Sequence, residues 1–125
     1  MTILAPKVKT DIAEELLTDP VEERQVTVIY QEIVDAYYVY VDPDIRLIDE
    51  ASGAEARLVS VLGIEVFPNY IFVEDLKTDP CLVFEPLPKG CRSFMLYEPA
   101  RDNLRPFRVP NIQRNDQDVY RISVG

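Results

Sequence analysis

The chain reads as an all-β protein, an antiparallel β-sandwich preceded by a short N-terminal arm or helix, and three observations carry that expectation. From Arg24 onward, short runs rich in Val, Ile, Tyr and Phe follow one another at spacings of about 10 residues: RQVTVIYQEI, YYVYV, IRLID, ARLVSVLGI, NYIFVED, LVFEP, SFMLYEP and VYRISV. No amphipathic helical pattern interrupts them, which separates the sequence from parallel α/β architectures. Ten prolines against four glycines point to rigid chain reversals rather than flexible linkers. A length of 125 residues, 47% hydrophobic and 28% charged, suits one folded domain. The expected division is an arm or short helix over residues 1–20 and the sandwich over residues 21–125.

The elements follow in order. In KVKTDIAEELLTDP, Ile12, Leu16 and Leu17 stand at helical spacing, Thr10 and Asp11 are possible caps, and Pro20 ends the segment. Asp42, Pro43 and Asp44 make a reversal, because proline presets φ and flanking aspartates accept backbone hydrogen bonds. In IRLIDEASGAEARLVSV, residues Ala51, Ser52, Gly53 and Ala54 separate two alternating strands, and Gly53 supplies the positive φ that a four-residue hairpin loop commonly needs. LVFEP and SFMLYEP end in prolines, as strand termini and edges allow. Paired as a simple hairpin about residues 87–90, these two runs put Cys91 opposite Pro86 and leave Cys81 roughly 16 Å away at strand rise. The cysteines then stay thiols, unless a crossover between sheets brings them together.

The run LVFEPLPKGCRSFMLYEP, followed by PFRVPNIQ, resembles the closing strands of immunoglobulin-like β-sandwich domains of bacterial proteins of unassigned function, some of them joined to thioredoxin-like domains. The resemblance covers about the last third of the chain. It implies an immunoglobulin-like fold and carries no functional residues with it.

Composition excludes several chemistries. There is no histidine, so Ser-His-Asp and Cys-His arrangements are closed and the commonest transition-metal ligand is missing. Gly53, Gly63, Gly90 and Gly125 stand singly, which rules out a glycine-rich phosphate loop. No cofactor or metal is expected. Asp42, Asp44, Asp49 and Glu50 could offer oxygen donors to a cation only if their two reversals met at one end of the sandwich, and the twelve-residue calcium loop is not there. Net charge is −9, unevenly spread: residues 1–88 hold 6 Lys+Arg and 18 Asp+Glu, residues 89–125 hold 7 and 4. That balance argues against duplex nucleic acid or an anionic membrane as partner. With no run of about 18 apolar residues and no signal-peptide pattern in MTILAPKVKT, the expected compartment is the cytoplasm.

Two features remain for function. Tyr38 and Tyr40 share one face of the YYVYV strand and Tyr37 shares the other with Val39, so at least one tyrosine is aimed outward or into a groove, where its ring and hydroxyl suit an interface. The segment of residues 98–118 reads as a long loop in which Arg101, Arg105, Arg108 and Arg114 are interleaved with Asn103, Phe107, Asn111 and Gln113. Guanidinium forks at that density grip carboxylates or phosphates, or else pair with the chain's own acids. The functional expectation is a non-enzymatic protein-binding or adaptor module with binding residues Tyr38, Tyr40, Arg101, Arg105, Phe107, Arg108 and Arg114. Its partner is a protein, and an edge strand offers homodimerisation. A self-assembling structural protein and a small-ligand-binding β protein are the alternatives.

Overall fold

A computed structural model describes residues 24–33, 36–101 and 105–124; the arm expected over residues 1–20 lies outside them, as does Asn103. The described residues are all-β. Their strands are β1 (Val26–Gln31), β2 (Tyr38–Val39), β3 (Arg46–Asp49), β4 (Glu55–Leu62), β5 (Ile71–Phe72), β6 (Cys81–Phe84), β7 (Ser93–Glu98), β8 (Phe107–Gln113) and β9 (Val119–Ser123). A single 3-10 turn, Val73–Asp75, follows β5 among the described residues.

Where the sequence predicts an antiparallel immunoglobulin-like sandwich, the pairing forms one curled mixed sheet, a half-barrel, with a separate two-stranded ribbon. The seven-stranded sheet runs β8-β7-β3-β4-β6-β1-β9, and β2 pairs β5 in the ribbon. Chain connectivity forces the curl. β8 and β9 lie at opposite edges of the sheet, yet only residues 114–118 join them. Such a link reaches no more than about 20 Å, whereas a flat sheet of this many strands is about 29 Å wide. The same link explains why the sheet is mixed. Antiparallel pairing from β1 through β6, β4, β3 and β7 leaves β8 pointing opposite to β1, and the short reversal sends β9 back alongside β1 in parallel.

The core lies inside the curl. Alternate residues of β1 (Val26, Val28, Tyr30), β3 (Leu47), β6 (Leu82, Phe84), β7 (Phe94, Leu96) and β9 (Tyr120, Ile122) turn inward and are buried. Phe94 and Tyr120 meet edge to face across the opening at 4.9 Å between centroids. The β3–β4 hairpin forms as expected: Gly53 adopts φ +79, and Asp49 caps the turn through the amide of Ala51 and the hydroxyl of Ser52. The Asp42-Pro43-Asp44 reversal forms too, with the Asp44 amide donating to Asp42 Oδ1 at 2.8 Å.

Three expectations need correction. β6 and β7 do not make a hairpin, because β6 is flanked by β1 and β4, and β7 by β3 and β8. Residues 85–92 therefore cross from one part of the sheet to another. The expectation of free thiols holds all the same, with Cys81 half-buried and Cys91 buried. The segment taken as a long loop contains β8, whose register against β7 is broken by an extra residue at Pro110 and Asn111 (φ +60). Only Tyr38 and Val39 of the tyrosine run are strand.

Candidate functional site

The β2–β5 ribbon is too short to hold together by backbone pairing alone, and aromatic rings fasten it. Phe72 meets Tyr70 edge-on at 5.4 Å, Tyr70 meets Tyr38 at 5.0 Å, Tyr38 stacks on Tyr40 at 6.5 Å, and Tyr40 meets Phe67 at 5.2 Å. The row ends under a cation: the Arg101 guanidinium lies over the Phe67 ring at 4.6 Å. The outer faces of the row are open. Tyr38 and Tyr70 are each 51% exposed and Phe72 45%.

Two hollows flank this row and share Tyr38 and Tyr40. One, about 460 Å³, is walled by aromatic rings and Pro68, with no charged side chain in its lining. The other, about 300 Å³, is lined by the charged side chains of Asp42, Glu98, Arg101 and Arg105 together with the rings of Tyr38, Tyr40 and Phe107. Five of the seven residues singled out in the sequence, Tyr38, Tyr40, Arg101, Arg105 and Phe107, thus border one cleft.

Electrostatics among these charged side chains are set by Asp42, which is 2% exposed. Its carboxylate accepts from Arg101 Nε at 2.6 Å and Nη2 at 3.2 Å, and its amide donates to Glu98 Oε2 at 2.7 Å. The Arg101 hydrogen bonds hold the Asp42 carboxyl below the usual carboxylate range against the opposing pull of burial, with help from the Asp44 amide. Glu98 goes the other way: burial raises it, the Asp42 amide partly offsets this, and the Asp42 charge adds to the rise. Beneath it the Tyr30 hydroxyl is buried without a hydrogen-bond partner, and burial, then the Glu98 charge, hold its proton on. Arg101 also lies 3.9 Å from Asp44. The corner therefore carries three carboxylates to one guanidinium, with Arg105 exposed at its rim.

Arg108 and Arg114 stand elsewhere. Arg108 is exposed on β8, over the outer ring of Tyr97 at 5.2 Å, a ring that Arg46 also approaches at 4.9 Å. Arg114 is buried in the link that closes the half-barrel. It grips Asp118 through Nε at 3.1 Å and Nη2 at 3.2 Å and donates from Nη1 to the Pro88 carbonyl, while Tyr120 donates to the same aspartate at 2.9 Å. Asp42 and Asp49 serve separate turns, Glu50 accepts from the Asn111 amide, and among the described residues no three acidic or thiol side chains gather to hold a metal ion.

Sequence reasoning missed Phe67, Tyr70 and Phe72, although FPNYIF carries three aromatics in six residues, as many rings as YYVY holds in four. It also missed Glu98, which read as the last residue of a strand. No helix among the described residues is long and apolar enough to cross a membrane. Comparison of the chain with protein-family models, with curated proteins and with solved structures gives no match.

Proposed function

We propose that the protein is a non-enzymatic protein-binding module whose recognition surface is the pair of hollows sharing Tyr38 and Tyr40. The observation that supports this reading most is convergence: residues far apart in sequence, from the tyrosine run, the 67–72 segment and the arginine-rich segment, border two adjacent hollows that share Tyr38 and Tyr40. Contiguous exposed aromatic area rimmed by polar residues marks interaction sites, and Tyr and Arg are the side chains that dominate binding energy at interfaces. Arg105 reads a partner carboxylate at the rim, and the ring row supplies apolar area.

Capture from the source cell's extract tests it. The Tyr38→Ser/Arg105→Ala double variant changes two exposed side chains, and Arg108→Ala changes one outside the groove. The reading expects a stoichiometric partner lost in the double variant and kept by Arg108→Ala. A partner retained by the double variant removes the groove as the binding surface.

A further inference from the structure

We propose that the aromatic hollow seats a cationic side chain, an arginine guanidinium, presented by a basic segment of the protein partner. This rests on the reading of the groove as a protein-binding surface and names the chemistry of its occupant. Three observations carry it. The walls of the hollow are aromatic rings and Pro68, so no side chain of its lining supplies a charge to meet an anion or repel a cation. Ring faces are electron-rich and attract cations, Arg above all. The same row already holds one guanidinium, with Arg101 centred over Phe67 at 4.6 Å, and that charge is matched at once by Asp42. Arg101 thus shows how a guanidinium lies on these rings without making the row itself repulsive to a second one.

Charge around the hollow points the same way. In the two segments that build the row, residues 36–44 and 65–75, Asp42 and Asp44 already face Arg101, and beyond them Glu65, Glu74 and Asp75 add negative charge with no lysine or arginine in either segment. An anionic group would approach against those carboxylates and a net charge of −9, while a basic segment is drawn in by both. A neutral apolar occupant would use the rings but gain nothing from that field.

The test uses the full chain, isotopically labelled, titrated with three short peptides of one design: arginine-containing, its neutral citrulline isostere, and a glutamate counterpart. Citrulline keeps the planar shape and removes the charge, so the comparison does not depend on a variant folding. Arginine peptide is expected to shift the β2 and β5 resonances, with citrulline about tenfold weaker, as a desolvated cation over aromatic faces implies. Binding should also survive Tyr70→Phe, which keeps the ring, and fall in Tyr70→Ser. Equal binding of citrulline, preference for glutamate, or no shift of the ribbon with arginine overturns the proposal. None of these outcomes bears on whether the Tyr38→Ser/Arg105→Ala variant loses its cellular partner, so the two readings fail separately.

Discussion

Two arginine–aspartate pairs, whose arginines come from one arginine-rich stretch of sequence, have opposite fates in this molecule. Arg114 and Asp118 form a bidentate pair at 8% and 0% side-chain exposure, surrounded by Tyr120, Asn115 and the Pro88 carbonyl. Arg101 and Asp42 form a closer pair, 2.6 Å against 3.1 Å, but Arg101 is 35% exposed and its guanidinium lies over Phe67 beside an open cleft. The chemistry is the same and the surroundings decide the role. One pair locks the link that curls the sheet; the other shapes the wall of the cleft proposed for binding.

The first way to break the comparison is Arg114→Ala. It leaves Asp118 fully buried without its guanidinium in the link that joins the two sheet edges, a loss worth about 3 to 5 kcal/mol. Thermal melting should show a drop far beyond that of any other arginine variant. Arg101→Ala is expected to cost less, about 1 to 2 kcal/mol, because water can reach Asp42 once the exposed guanidinium is gone. Partner capture should fall in this variant although it still melts cooperatively. If both variants melt alike, the distinction between lock and wall is lost.

Acid titration sharpens the comparison. Arg101 hydrogen bonds lower the Asp42 pKa, and the Ser52 hydroxyl and Ala51 amide lower that of Asp49. A depressed carboxyl contributes stability that is present above its unfolded value and lost as pH falls through the folded one. The midpoint of melting should therefore decline below about pH 4. In Arg101→Ala the Asp42 part of that decline should disappear and the Asp49 part remain. Smallest in stability terms is Arg105→Ala, expected within about 0.5 kcal/mol of wild type for an exposed side chain. Its effect should appear in partner capture alone, while Arg108→Ala leaves capture unchanged.

Much of the fold was legible where it is local. The hairpin around Gly53 needs only alternation on each side and one residue at positive φ, and the Asp42 turn needs only proline between aspartates. β8 was hidden because FRVPNIQ carries Pro110 and a positive-φ Asn111 at its irregularity, features that read as loop until β7 is placed beside it. The parallel β1–β9 pair was not legible, since it depends on which edge the last strand reaches after the sheet has curled. The separate fates of Arg101 and Arg114 were hidden for the same reason. Both stood in one polar segment with acids available, and nothing along the chain said that Asp118 would be sealed inside while Asp42 met a cleft. The tyrosine run was visible; its partners Tyr70 and Phe72 came from a segment read as an ordinary strand, and Phe67 from the stretch just before it.

The most direct test sets the groove against another exposed apolar surface among the described residues, the outer face of β4, where Val59 is 51% and Leu62 69% exposed. A photoreactive phenylalanine analogue would replace Tyr70 in one protein and Leu62 in another, and both would be irradiated in the source cells. The account predicts a discrete heavier adduct from the Tyr70 position and none from the Leu62 position. An adduct at Leu62 with none at Tyr70 would place recognition on the back of the sheet and contradict it.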